Sequence, residues 1–208
     1  MRAIVTEFVG TLFLVLVITT SGVVETPLAP IAIGGVLAAM IFAGGHISGA
    51  HYNPAVTVAV CLRRRISPKV AGGYIAAQIL GGLAGALLAA LLTRDIQHSA
   101  VPLDASALSI LTGELLMTFA LAYVVLNVAT SKSHPNNSFY GVAIGLTVMA
   151  GAIVVGPITG GAFNPAVALA GAVSSGLAWG NLWLYGAAAL VGGAGAALLF
   201  RVANPDDV

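Results

Sequence analysis

The chain is predicted to be an all-α integral membrane protein, with six transmembrane helices plus two re-entrant half-helices in an inverted repeat, on three observations. Of its 208 residues, 59% are hydrophobic and only 7% charged, with a mean hydropathy of +1.01. A soluble domain carries roughly 25% charged residues, so this chain cannot cover a water-facing surface. Apolar stretches recur at about the ~20-residue length that spans a hydrocarbon core. The tetrapeptide Asn-Pro-Ala-Val occurs twice, as Asn53-Pro54-Ala55-Val56 and as Asn164-Pro165-Ala166-Val167.

The spans fall at approximately 4–24, 29–46, 70–93, 109–130, 139–156 and 178–200. The first, led by Met1-Arg2, outruns the apolar region of a secretory signal and no clear A-x-A site follows it, so it reads as retained. Between the second and third spans, and between the fifth and sixth, lie segments 54–62 and 165–173, each opened by one Asn-Pro pair. These are too short to cross. Irregular backbone is not tolerated against lipid, so they are expected to re-enter the membrane inside the protein. An even number of spans puts both ends on one side, which places Arg2, Arg63, Arg64, Arg65, Lys69, Lys132 and Arg201 together and leaves Arg94 alone opposite. That imbalance predicts cytoplasmic termini in a plasma or inner membrane. The Arg63–Arg65 run reads as this orientation signal rather than as an anionic-lipid site, and the end Asn204-Pro205-Asp206-Asp207-Val208 reads as a solvated tail.

Setting residue n beside n + 111 pairs "GHISGAHYNPAV" (45–56) with "GPITGGAFNPAV" (156–167), identical at seven of twelve positions. At the same offset Tyr74 falls on Tyr185 and Gly81-Gly82 on Gly192-Gly193, and each half begins with a Glu-x-x-x-Thr, Glu7 to Thr11 and Glu114 to Thr118. The chain is therefore expected to be one membrane domain, 1–208, built from repeats of about 1–97 and 107–208. Three spans per half is an odd number, so the second copy enters the membrane from the opposite face. The two half-helices then meet near the midplane.

The Asn-Pro pairs have a physical reading. Asn is a favoured N-cap, and Pro is favoured at the first helical position, where its missing N–H costs nothing. The amide oxygen of Asn53 or Asn164 caps its own half-helix while the NH2 group remains a donor. Each tip also carries roughly +0.5 of an elementary charge from the helix dipole. A pore between the tips offers hydrogen bonds to neutral oxygen atoms and repels cations.

On both Asn-Pro-Ala boxes, the "GHISGAHYNPAV" context, the Glu-x-x-x-Thr starts and the Gly-rich third and sixth spans, the sequence resembles the aquaporin, or major intrinsic protein, family over essentially its whole length. The resemblance implies a passive channel for water or small uncharged solutes such as glycerol, urea, hydrogen peroxide, ammonia or undissociated metalloid acids, in a homotetramer with one pore per subunit. It implies that Asn53 and Asn164 are the central pore donors and that Glu7 and Glu114 tie down loop backbone. Anchoring is favoured over a proton relay for these carboxylates because they occupy equivalent repeat positions. His46 and His51 precede Asn53, but their partners Pro157 and Ala162 cannot ligate metal, so both histidines read as loop anchors. His98 and His134 lie in expected loops.

Water-selective members narrow at a filter of an aromatic, a histidine, a small residue and an arginine. Ungapped counting from the two boxes puts these positions on Ile33, Ala152, Gly161 and Val167. The aromatic, histidine and arginine are all absent, which predicts a broader, more apolar constriction that discriminates poorly by hydrogen bonding and that can close by dewetting. A secondary transporter would place ion-coupling carboxylates where this chain has asparagines. A poorly conducting structural protein of the same fold remains a second alternative. An enzyme is not expected: "GHISG" around Ser48 is not a nucleophile elbow. The lone Cys61 reads as a small apolar residue closing a half-helix. No metal, cofactor or nucleic-acid motif appears.

Overall fold

The computed structural model describes residues 1–97, 105–174 and 176–207, and every regular element among them is helical. Helices α1 (Arg2–Val23) and α2 (Ala29–Ser48) precede the short α3 (Pro54–Leu62) and the long α4 (Pro68–Leu92). Helix α5 (Ala107–Val125) runs on as a π-helical turn, Leu126–Thr130. Then come α6 (Tyr140–Val154), α7 (Gly156–Thr159), the short α8 (Pro165–Val173), a 3-10 turn (Trp179–Asn181) and α9 (Leu182–Ala203). The starts follow local chemistry. Ser67 and Ser106 cap α4 and α5, accepting from Val70 N and Ser109 N. Pro30, Pro54, Pro68 and Pro165 occupy first turns, where no amide hydrogen is needed. Gly49 and Gly160, at φ of 87° and 92°, end α2 and α7 in the left-handed region.

Lipid is as apolar as leucine, so helices in a bilayer associate where small residues let backbones approach. A Cβ on Gly81 would stand 2.3 Å from Phe8 O, and one on Gly85 would stand 2.4 Å from Leu12 O, which brings α1 and α4 into backbone contact. Gly192 does the same for α9 on α5, at 2.6 Å from Leu115 O. Gly34 and Gly145 join α2 to α6. The half-helices cross over: α3 packs on α9 and α8 on α4. Each therefore leans on a long helix from the other half of the sequence.

Three expectations change. Five helical stretches are long and apolar enough to cross a bilayer, but the expected fifth span, 139–156, is α6 alone, 15 residues. At ~1.5 Å per residue that is about 22 Å, and α7 carries the helical path on to Thr159 after a single intervening residue. It breaks at Val155 because Pro157 has no N–H to continue the ladder; the chain resumes as α7, whose Gly160 N bonds Gly156 O. The tail is not wholly solvated: Pro205 and Asp206 are exposed, but Asp207 is docked at 6% exposure. Arg63, read only as an orientation signal, is 2% exposed and pairs with Asp207 at 2.8 Å. His98 lies outside the described residues.

Candidate pore

The two half-helices point their N-termini at each other across the centre of the molecule. Asn53 Oδ1 accepts from Ala55 N at 2.8 Å and Val56 N at 3.4 Å, and Asn164 Oδ1 accepts from Ala166 N at 2.9 Å. Their amide groups do more than face a lumen. Asn53 Nδ2 donates to Phe163 O and Asn164 Nδ2 donates to Tyr52 O, each at 2.9 Å. The exchange is reciprocal, and it uses one of the two hydrogens on each NH2. Tyr52 and Phe163 hold φ of 48°, a left-handed conformation that costs a non-glycine residue free energy and persists only when its surroundings enforce it.

The buried glutamates enforce it. Glu7 Oε1 accepts from Ser48 Oγ (2.6 Å) and His51 N (3.0 Å), while Oε2 accepts from Tyr52 N (2.8 Å) and Gln78 Nε2 (2.7 Å). Glu114 Oε1 accepts from Thr159 Oγ1 (2.7 Å) and Ala162 N (3.1 Å), and Oε2 from Phe163 N (2.6 Å). Each carboxylate thus fixes the residue whose carbonyl receives the opposite asparagine. Every oxygen is spoken for by a donor, an arrangement suited to anchoring. Tyr74 Oη adds a bond to Ser48 O at 2.9 Å, and Tyr185 Oη bonds Thr159 O.

A cavity of about 180 Å³ passes between the tips. Asn53 and Asn164 line it, and so do all four positions counted as a filter, Ile33, Ala152, Gly161 and Val167. Among the described residues, the polar side chains on its wall are His51, Tyr52, Asn53 and Asn164, and the Tyr52 hydroxyl is committed to Met40 O. No carboxylate, lysine or arginine of the described residues lines it. An apolar cavity with two fixed amides offers hydrogen bonds to small neutral molecules and gives an ion little to replace its hydration shell.

The major intrinsic protein family profile matches residues 1–200. The chain belongs to that family. It is 36% identical over 218 aligned residues to the glycerol uptake facilitator protein-like 6 of Lactiplantibacillus plantarum, covering all of both chains. It is 33% identical to Nodulin-26 of Glycine max, over all of this chain and 79% of that one. The solved aquaglyceroporin of Plasmodium falciparum shares the fold, with a TM-score of 0.82 at 23% identity over 98% of this chain and 97% of that one. This major intrinsic protein is accordingly a multi-pass membrane channel for the passive movement of water and small solutes, and not an enzyme.

The histidines separate. His51 is buried, with Nδ1 3.1 Å from Thr57 Oγ1 and its ring edge-on to Tyr74. His46 is exposed on the last turn of α2, with no hydrogen bond to it among the described residues. His134 Nδ1 meets Asn127 O at 3.1 Å. Gln78 was missed by sequence reading, yet it is fully buried and joins Glu7 to Thr57 through bonds of 2.7 and 2.8 Å. An amide in the middle of an otherwise apolar span was the available signal.

At one end the tube meets a wider mouth of about 450 Å³. His51 and Val125 line both spaces. Arg65, Thr130, Ser131 and Lys132 form part of the mouth's wall. Asp207 clasps this rim: Oδ1 pairs with Arg63 (2.8 Å) and Arg65 (3.2 Å), and Oδ2 accepts from Ser131 Oγ (3.0 Å) and Lys132 N (2.8 Å). The Arg63 guanidinium also lies 4.1 Å over the Phe200 ring. Burial acts to raise the Asp207 carboxyl, but the bonds from Lys132 N, Arg63 and Ser131 and the Arg63 charge outweigh it and hold it at about 2.

Proposed function

We infer that this channel conducts a broad set of small uncharged solutes, with Asn53 and Asn164 as its central donors and Ile33, Ala152, Gly161 and Val167 as its selectivity filter. The observation that carries this reading is one cavity lined by both asparagines and all four filter positions, with no charged side chain among the described residues of its wall. Water, hydrogen peroxide, ammonia, urea, glycerol and undissociated metalloid acids meet the criterion of size and neutrality. The bacterial relative's name, a glycerol uptake facilitator-like protein, agrees with placing glycerol among them. Ions are excluded by the paired half-helix N-termini, each with its partial positive charge, and by the absence of ligands to replace water.

The chain is read as two inverted halves, about 1–97 and 107–208, forming one domain. Seven basic residues on one side against one on the other support cytoplasmic termini in a plasma or inner membrane. The family's homotetramer is the expected assembly; exposed apolar residues such as Leu87, Leu91, Leu198 and Val202 face lipid or neighbouring subunits.

Stopped-flow swelling of proteoliposomes tests the filter. Wild type should pass glycerol and urea, and Val167→Arg, which adds a charged donor and narrows the tube, should cut solute flux by at least about tenfold while water flux persists. Equal solute flux in the two would reject Val167 as a filter residue. Flux at the level of empty vesicles for water and all solutes would favour the structural-protein alternative.

A further inference from the structure

Among the described residues no full positive charge lines the tube, yet two cationic side chains line the space that adjoins it. Arg65 and Lys132 line the mouth that the tube enters past His51. They come from distant parts of the chain, the turn after α3 and the turn after the π-helical end of α5. Arg65 is held at its guanidinium, and Lys132 at its backbone. Arg65 Nη2 donates to Thr130 O at 2.9 Å and pairs with Asp207 Oδ1 at 3.2 Å. Lys132 is fixed through its backbone N–H to Asp207 Oδ2 at 2.8 Å, and its ammonium stands 3.8 Å from Oδ1. With Arg63 buried behind them, the ion pairs among the described residues set three cationic side chains, Arg63, Arg65 and Lys132, on the one Asp207 carboxylate.

We propose that Arg65 and Lys132 form the channel's principal cation barrier, a charged ring at the basic mouth that takes over the task an arginine at position 167 would perform. The proposal rests on the channel reading above. A cation entering the mouth meets this charge before it reaches the helix tips, in a confined space where low-dielectric walls focus the field. A neutral solute feels no comparable penalty. Separating the two tasks along the path explains how a wide apolar filter coexists with ion exclusion: the filter sets size, and the mouth sets charge. Asp207 is a positioning residue here, holding both cationic segments at the rim.

The test is cation leak into proteoliposomes loaded with a pH-sensitive dye, with potassium flux measured in parallel and water and glycerol flux on the same preparations. Arg65→Gln combined with Lys132→Gln should raise proton and potassium leak on the order of tenfold, with neutral flux within about twofold of wild type. Arg65→Lys with Lys132→Arg keeps the charge and should stay at the wild-type leak. Val167→Arg added to the neutralised pair should restore exclusion. Should the double substitution disturb folding, Lys132→Gln alone gives a smaller rise, since its side chain is 58% exposed and forms only the 3.8 Å contact. Raising salt from 0.01 M to 1 M shortens the screening length from about 30 Å to about 3 Å, so it should raise the leak of wild type and leave the neutralised pair unchanged. Leak that does not change on neutralisation, in vesicles that still pass glycerol, overturns the barrier and leaves the channel reading intact. A wild type that passes no neutral solute overturns both.

Discussion

The two half-helices are matched at their tips and differ in the polar and charged residues behind them. Both tips have an asparagine cap, a left-handed aromatic residue, a buried glutamate and a bond to the opposite loop. Behind the first tip lies a polar network in which His51, Thr57 and Gln78 adjoin Glu7. The positions 111 residues later are Ala162, Ala168 and Ala189. At the far end of α3 the rim is ionic, through Arg63 and Arg65; their counterparts are Ser174 and Gly176, and Ser174 Oγ bonds back to its own helix, to Ala170 O at 3.0 Å and Gly171 O at 3.4 Å. The matched set is the geometry of the pore centre. Among the described residues, the unmatched set surrounds α3 with polar and charged groups whose counterparts around α8 are small and mostly apolar. A channel assembled from two similar halves thus acquires direction through the residues around its shared framework.

The largest effect should come from breaking the shared part. Glu7→Ala strands four donors and Glu114→Ala three. At about 1–3 kcal/mol per unsatisfied buried group, losses of ~4 kcal/mol or more and ~3 kcal/mol or more are expected. Thermal unfolding in detergent, scored beside glycerol flux, measures both. Comparable losses would support the common anchor, whereas a tolerated Glu114→Ala would show that the second tip is held by packing alone.

A smaller contrast separates the two cross-packing glycines. A Cβ on Gly193 would stand 2.6 Å from Ala55 O, but one on Gly82 would stand 3.2 Å from Ala166 O. Gly193→Ala is therefore expected to cost about 2–3 kcal/mol and Gly82→Ala about 1 kcal/mol or less, by the usual scale of overpacking. Detergent melts of the two variants decide it, and a reversed order would mean that α8 is the tighter of the two seats.

The smallest expected effect concerns the rim. A carboxyl whose folded-state pKa lies below its unfolded value of about 3.9 contributes stability that is complete above that value. For Asp207 this is lost only as pH falls through about 2. Between pH 8 and 5 the clasp should neither gain nor lose strength, and Asp207→Asn should leave the pH dependence of stability over that range unchanged. A slope removed by the substitution would place the carboxyl's titration much higher.

Much of this was legible because local chemistry dictates it. Asn followed by Pro fixes the start of a helix, and both half-helices begin at that proline and end at the residues expected, Pro54–Leu62 and Pro165–Val173. The break in the fifth span was also on the page, in Pro157, but the apolar run around it carried the stronger signal. What hydropathy could not show was pairing at a distance. The Arg63 and Asp207 partners stand 144 residues apart, and the asparagine bonds close separations of 110 and 112. Sequence said that each amide had a hydrogen to give, and only the assembled tips said where it went. The filter count placed four residues on one wall because each lies a short, nearly rigid distance from a box. His46 lay as close to its box, but on the outer side of a helix.

The reciprocal asparagine bonds also set a timetable. Translation at about 5–20 residues per second leaves the first tip waiting on the order of 5–20 s for Phe163 to be made. Through that interval Asn53 has no carbonyl to hold and α3 has no α9 to lean on, since Gly193 is still to come. The nascent first half is an inserted but unsealed hairpin whose polar loop needs water, the translocon or a chaperone. Completion of the pore is consequently among the last events of biogenesis, and a chain that stops before its second box leaves an open, quality-control-sensitive fragment instead of half a channel.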